Sequence, residues 1–527
     1  MLASLRAHAL SHPLVLFLLC LAVFKLLGPV LRRLPEKLTY ASRAMVPATC
    51  LLVFLYLATV IVYVVTPAYF DHVEPSVAAV SWVVMQGQQA YPDQAGAGIY
   101  GLPYGPMLFL CNGLTMLLLG PGITTSKIAG AGASVASLFA LVIALRQAQG
   151  DPEQGRRVAT HRSNGPEWPR AMRWAAVVYL MFGATSFWVR AEPLLLFCSS
   201  LAVLSLTMPA LMSAVLAGIA VGVGVNLKVS AIIYLFPALA LVWRKHGPGR
   251  FAAAAAIATL VAALPYLAFH NVSLAGYLAW VQAATGQGVR LWALPTALEW
   301  TIFLTVPIVL SGRSETAPCG VSDMVVFRAL VIASMLVSLP LAAKHGTGIY
   351  HFLPFVPSII FASCTGTRTG PLFLAPAMLA SFVLVAALQL QPWVTATTSL
   401  PAREIISELK QIEAAHAGSL AMGYSANYRL SFFRPVLVFE GQPYSLDGAS
   451  LMDWHWSGRP FPSAAVAAVR ACAVDAWIIP AGAPPFELPN AYPISGDVFP
   501  DEFRRAFKDR YALERSGRWF DVWRCQR

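Results

Sequence analysis

Apolar runs long enough to cross a lipid bilayer recur from the N-terminus to about residue 390, which makes this part of the chain a polytopic helical membrane protein. Of its 527 residues, 57% are hydrophobic and 12% charged. An ordinary soluble chain has about 45–50% apolar and about 25% charged residues. Residues 391–527 are more polar and mixed, about the size of one small domain. Residues 11–31 are apolar apart from Lys25. They are followed by Arg32, Arg33 and Lys37 rather than by a small-residue cleavage site, so they read as an uncleaved helix at the edge of the bundle.

Loop charge sets the sidedness. Arg32, Arg33, Lys37 and Arg43 hold the loop before residue 45 in the cytoplasm, so residues 45–66 cross outward and Asp71 emerges outside. Residues 106–120 are too short to span and read as a juxtamembrane helix on the outer face. That choice keeps the loop after 124–145, with Arg156, Arg157, Arg162, Arg170 and Arg173, inside. The following spans are expected at 174–189, 193–209, 211–227, 229–243, 251–269, 294–311, 324–343, 347–364 and 371–390. An outer loop covers 270–293, and the total is about 11–12 transmembrane helices. Three regions follow: 1–44, an N-terminal helix and linker; 45–390, a membrane domain whose first outer loop is 67–123; and 391–527, an extracytoplasmic α/β domain. The net charge of +12 lies largely in short loops that fix topology and does not point to nucleic acid. The eight Cys lack metal-ligand spacing, and Cys472 with Cys525 could pair if the tail lies outside.

The first outer loop opens with Asp71 and Glu74. A short amphipathic helix pattern (75–87) and a loop rich in Tyr, Pro and Gly follow, with Tyr91, Tyr100 and Tyr104. At the outer ends of later spans the same topology leaves Arg190, Lys228, Lys344 and His345, each in an apolar context. A charge at membrane depth usually faces a protein interior or a cavity. Several cations on one face suit an anion, phosphate above all. Glu192 could instead pair with Arg190, and each cation could simply snorkel. A carboxylate beside outward-facing cations has a coherent use. The cations stabilise a departing lipid phosphate, and the carboxylate takes the proton of an acceptor hydroxyl.

This pattern resembles the polytopic GT-C glycosyltransferases that use polyprenyl-phosphate sugars, the group of protein mannosyltransferases and lipid A aminoarabinose transferases. Asp71-His72-Val73-Glu74-Pro75, with Gln86-Gly87 and Tyr91-Pro92 after a helix, resembles the first-loop acidic motif. Tyr104-Gly105-Pro106 and the stretch to Gly120 resemble the juxtamembrane helix, and Arg190-Ala191-Glu192-Pro193 the second-loop acidic site. Gly222-Val223-Gly224 with Lys228 resembles a Gly-rich span leading to a lysine, and Lys344 to Pro354 the late Tyr-x-x-Leu-Pro loop. The resemblance implies an inverting hexosyl or pentosyl transfer in the plasma (bacterial inner) membrane. The donor is a polyprenyl-phosphate-linked sugar and the acceptor an extracytoplasmic glycan, lipid or protein. Asp71 or Glu74 is the catalytic carboxylate; many relatives have the two acids adjacent, and Asp71, at the mouth of the span, is favoured. Arg190, Lys228, Lys344 and His345 bind the donor phosphate. Tyr91, Tyr104, Glu192, Tyr350 and His351 are candidate substrate contacts. Some relatives hold a divalent cation (Mg or Mn) between two acidic loops, for which Asp71, Glu74 and Glu192 offer oxygen ligands. The sequence itself names no cofactor.

In the tail, residues 401–415 read as an amphipathic helix, with strands at 419–423, 436–440, 473–480 and 518–524 and helices at 463–472 and 500–510. The segment 444–461 carries Asp453, Trp454, His455 and Trp456 and suits either acceptor binding or anchorage at the membrane interface. The tail is expected to cover the site. The alternative function is a transporter or flippase of a lipid-linked sugar, which calls for internal repeats; none is evident.

Overall fold

The computed structural model describes residues 10–32, 40–148, 168–311, 321–344, 346–364, 374–399, 401–490 and 496–527. The membrane part runs α1 (Pro13–Arg32), α2 (Tyr40–Val65), α3 (Glu74–Met85), α4 (Pro106–Leu119), α5 (Ile123–Ala148), α6 (Trp168–Met181) and α7 (Ala191–Ser205). It continues with α8 (Ala210–Leu227), α9 (Ala231–Ala268), α10 (Leu274–Thr285), α11 (Leu294–Val309), α12 (Val321–Val337), α13 (Val356–Cys364) and α14 (Leu374–Ser399). Among the described residues, six helices are long and apolar enough to cross a membrane. Together with the shorter apolar helices they form the expected polytopic bundle.

Leu51, Phe54 and Ile61 of α2 and Leu260, Leu264 and Leu267 of α9 are exposed, as lipid-facing side chains should be. The helix α1 lies at the bundle edge, where His12 Nδ1 meets Glu299 Oε2 at 2.9 Å and Trp300 Nε1 donates to Leu10 O at 3.1 Å. The α9 helix turns at Gly247 (φ 80°), next to Pro248, so it is two segments as the basic stretch Arg244–Arg250 implies. A Cβ on Gly222 of α8 would come within 2.6 Å of Val261 Cβ, so glycine there lets α8 and α9 approach closely. The segment 270–293, expected as an outer loop, is not irregular throughout: it contains α10, opened by the Ser273 side chain accepting from Gly276 N.

The two ends of the bundle differ. At one, Arg244 pairs with Asp323 at 2.9 Å, Lys245 donates to Leu206 O at 2.8 Å, and Arg328 caps α13 through Ala362 O. The loops 149–167, 312–320 and 365–373, which carry further topology-setting cations, lie outside the described residues. At the other end, α7 begins and α8 stops, and a 3₁₀ turn (Gly183–Ser186) and the 3₁₀ segment Ile349–Phe355 intervene. Irregular backbone at membrane depth is tolerated where protein or a cavity encloses it, and here it brings polar side chains together.

Both helices of the first outer loop form. The α3 helix is not amphipathic: Glu74 to Val84 are buried apart from Trp82, because α4 covers one side and the tail the other. The α4 helix leaves Leu114, Leu117, Leu118 and Leu119 exposed, a lipid-facing strip, and ends at Gly120 with φ 87°.

The tail comprises α15 (Ala402–Ala415), β1 (Leu420–Met422), α16 (Pro435–Phe439), α17 (Gly448–Trp456), α18 (Ser463–Arg470), β2 (Ala476–Pro480), α19 (Asp501–Arg510), β3 (Tyr511–Ser516) and β4 (Phe520–Cys525). The sheet order is β1-β2-β4-β3, with β1 and β2 parallel and the other pairs antiparallel. One expected strand is wrong. Residues 436–439 of the segment 436–440 lie within a short helix begun by Pro435 and packed against α3; a short apolar run rich in valine has no periodicity to separate the two forms. The edge strand β3, too charged to read as a strand, was missed. Cys472 and Cys525 form a disulfide that ties the end of α18 to the last residue of β4.

Candidate active site

Asp71 lies in the turn between α2 and α3. Its Oδ1 caps Val73 N at 3.0 Å, and its side chain keeps 23% exposure. Arg190, in the segment before α7, reaches across to it, with Nη1 3.1 Å from Asp71 Oδ1. The same guanidinium donates through Nε to Tyr104 Oη at 3.0 Å and through Nη2 to Tyr350 Oη at 3.1 Å. Its carbon stands 4.2 Å from the Trp188 ring centroid and 4.9 Å from that of Tyr350. Four segments far apart in sequence thus meet at one guanidinium. Lys228, the C-cap of α8, pairs with Glu192, which also accepts from Trp188 Nε1 at 3.0 Å and lies 3.8 Å from Arg190 Nε. Lys228 Nζ is 5.1 and 5.5 Å from the rings of Tyr104 and Tyr350. The turn at Gly105 makes this approach possible: a Cβ there would stand 1.9 Å from Asn226 O, and Gly105 N donates to Leu227 O at 3.0 Å.

The two first-loop carboxylates have different surroundings. Glu74 is fully buried; it accepts from Tyr63 Oη, from Phe70 N at 2.7 Å, from Asp71 N at 3.1 Å and from Val189 N at 3.3 Å. Burial pushes its carboxyl upward, partly offset by Lys127 and these donors. Burial also pushes Asp71 upward, but Arg190 and His72 outweigh it and hold Asp71 well below the usual carboxylate range. His72 Nδ1 is 3.5 Å from Asp71 Oδ2; burial lowers the imidazole, yet the Asp71 charge raises it above its ordinary value.

The remaining expected residues fall unevenly. Tyr104 and Tyr350 line the cluster. Tyr91 supports it from behind, its hydroxyl donating to Tyr104 O at 2.7 Å. His351 is buried beneath Tyr350, its Nδ1 2.9 Å from Tyr234 Oη. Lys344 sits at the rim with its backbone carbonyl held by Arg290 Nη2 at 3.1 Å; burial pulls its ammonium down. His345 lies outside the described residues. The charge of Asp453, on α17, acts on both His72 and Lys344. The helix α17 is pinned above the site: Ser76 Oγ donates to Asp447 Oδ1 at 2.6 Å, Asp447 N to Ile99 O at 2.7 Å, and Trp456 Nε1 to Gln287 O at 2.8 Å.

Two residues at this end were not singled out from the sequence. Arg290 sits in the outer loop, where a lone arginine carries no local signal. Lys127 is a single charge inside the apolar run of α5, the same signal that marked Lys228, hidden because the run was counted only as a span. Its Nζ donates to the carbonyls of Tyr63, Thr66 and Ala68 at 2.9, 2.7 and 2.6 Å. Among the described residues no group of three or more His, Cys, Asp and Glu side chains could hold a metal. Arg190 stands between Asp71 and Glu192, and Glu74 turns to backbone amides, so these carboxylates do not converge as ligands.

No family model matches the chain, and no curated protein matches it in sequence. Among solved structures, the chain is similar in course to two crystal structures of ArnT from Cupriavidus metallidurans, one in the apo state and one bound to undecaprenyl phosphate. Each alignment covers 90% of this chain and 97% of the other, at 12% identity and a TM-score of 0.43.

Proposed function

We propose that this chain is a membrane glycosyltransferase that moves a sugar from a polyprenyl-phosphate donor to an extracytoplasmic acceptor, with Asp71 as base. The observation that carries this reading is Arg190. One buried guanidinium joins the partly exposed carboxylate of Asp71 to Tyr104 and Tyr350 at the bundle end opposite the Arg244–Asp323 pair. The Cys472–Cys525 disulfide supports an oxidising, extracytoplasmic setting for the tail, consistent with a bacterial inner-membrane protein whose site faces outward.

The donor lipid lies against the exposed apolar strips, and its phosphate is met by Lys344, Lys228 and the N–H groups of Arg190. The acceptor oxygen attacks the anomeric carbon from the face opposite the phosphate. The bond from that carbon to the phosphate oxygen breaks, the electron pair leaves with the phosphate, and the acceptor's proton passes to Asp71. The cations stabilise the charge that grows on the departing oxygen. While Asp71 is paired with Arg190 it is a weak base. A phosphate that draws the guanidinium toward itself returns basicity to Asp71, so donor binding readies the acceptor's base. Glu74 and Glu192 hold backbone and cations in place.

The test supplies purified protein with polyprenyl-phosphate sugars and acceptor-containing envelope extract and measures free polyprenyl phosphate. Release by the wild type and its loss in Asp71→Asn is expected. Undiminished release by that variant, or movement of intact donor across a bilayer without cleavage, counts against the proposal.

A further inference from the structure

We propose that Lys127 is a positioning residue that, with Glu74, fixes the backbone turn on which Asp71 stands. Lys127 is fully buried, so it is not snorkelling to a lipid surface. An ammonium has three N–H donors, and all three find backbone carbonyls of one short stretch, those of Tyr63, Thr66 and Ala68. Tyr63 lies in the last turn of α2, whose carbonyls have no partner within the helix, and Thr66 and Ala68 follow directly after it, so a cation there also meets the negative end of the helix dipole. The rings of Tyr63, Phe70 and Tyr69 close around it at 4.4, 5.4 and 5.7 Å.

Glu74 does the converse for the adjoining residues, taking amide N–H groups of Phe70 and Asp71. Tyr63 joins the two halves: its carbonyl accepts from Lys127 and its hydroxyl donates to Glu74. Glu74 also accepts from Val189 N, the residue before Arg190. One buried cation and one buried carboxylate therefore set the register of both partners in the Asp71–Arg190 pair. Neither touches the space where substrate would lie. A rigid support of this kind matters because misplacing a reacting group by about 1 Å can cost on the order of 100-fold in rate.

The consequence for turnover rests on Asp71 acting as the base; the clamp itself does not. The experiment therefore has two arms on the intact, detergent-solubilised protein, with Lys127→Gln and the charge-keeping Lys127→Arg. Amide hydrogen exchange is followed in peptides covering residues 63–74 and, as a control, β2 and β4 of the tail. Donor cleavage is measured alongside. For Lys127→Gln, exchange should quicken in 63–74 and stay unchanged in the tail, and kcat should fall about 10–100-fold with little change in donor KM. Lys127→Arg should recover part of both. If the Gln variant does not fold, the Arg variant carries both arms, its planar donors fitting the three carbonyls less well. Unchanged exchange in 63–74, or exchange rising equally everywhere, overturns the positioning role. Quickened exchange with full turnover refutes Asp71 as the base while leaving the clamp standing. Absence of cleavage by the wild type refutes the enzymatic reading, and the exchange arm still decides the clamp.

Discussion

Asp71 and Glu74 are three residues apart, yet their neutral isosteres should fail in opposite ways. Glu74 accepts four hydrogen bonds, two on each oxygen. Glu74→Gln keeps one acceptor oxygen and turns an amide NH₂ toward two donors, either Phe70 N and Asp71 N or Tyr63 Oη and Val189 N. Two buried donors lose their partner, at about 1–3 kcal/mol each. Lys127 also loses its nearest opposing charge. The sum, about 2–6 kcal/mol, is a large share of the about 5–15 kcal/mol that keeps a typical domain folded. Asp71→Asn retains an oxygen for Val73 N and for Arg190 Nη1 and loses its charge beside a buried guanidinium that Glu192 also approaches, a cost of about 1–3 kcal/mol. It also removes the proton acceptor, which should slow transfer about 10²–10⁴-fold. Thermal unfolding in detergent and release of polyprenyl phosphate, measured on the same preparations, separate the two. Glu74→Gln is expected to melt early, and Asp71→Asn to melt closer to the wild type but turn over poorly. A Glu74→Gln protein of normal stability and no activity, beside an active Asp71→Asn protein, would refute the assignment.

Arg190→Lys keeps the charge but not the three-way contact with Asp71, Tyr104 and Tyr350; donor cleavage should drop about 10²–10³-fold. The His72 pKa is raised by Asp71, so its contribution to stability is complete below about pH 6.5, the unfolded value, and is lost as pH rises through the folded one. His72→Gln should flatten that slope in hydrogen exchange of 63–74 measured between mildly acidic and alkaline pH. The depressed Asp71 pKa acts in the other direction: its contribution is present above about pH 3.9 and disappears only as pH falls through the lower folded value. Replacing Cys472 and Cys525 by Ser opens a link spanning 53 residues, which should destabilise the tail by about 2–4 kcal/mol and expose it to protease while leaving the membrane helices intact.

The succession of apolar helices, and Asp71, Arg190 and Lys228 as charges set in apolar surroundings, were legible because lipid imposes length and charge rules on every crossing. The tail's helices 402–415, 463–470 and 501–510 were equally plain from their periodicity. The segment 436–440 does not form the expected strand because the four-residue apolar run 436–439 fits helix and strand alike, and contact with α3 settles it. The partners of Glu192 and Tyr91 were not legible: Glu192 takes Lys228 and Trp188 Nε1, and the Tyr91 hydroxyl donates to Tyr104 O.

By itself, the sequence determined that the chain crosses a membrane repeatedly, that an acidic turn and several cations share one face, and that a folded tail follows. Hydropathy and charge are properties of single segments, so they can be read one segment at a time. Only the tertiary structure decided which charge meets which: that Arg190 takes Asp71, that Glu192 takes Lys228, and that Glu74 and Lys127 turn inward to the backbone. Those partnerships join residues up to 119 positions apart, as between Asp71 and Arg190, and follow from how the helices pack.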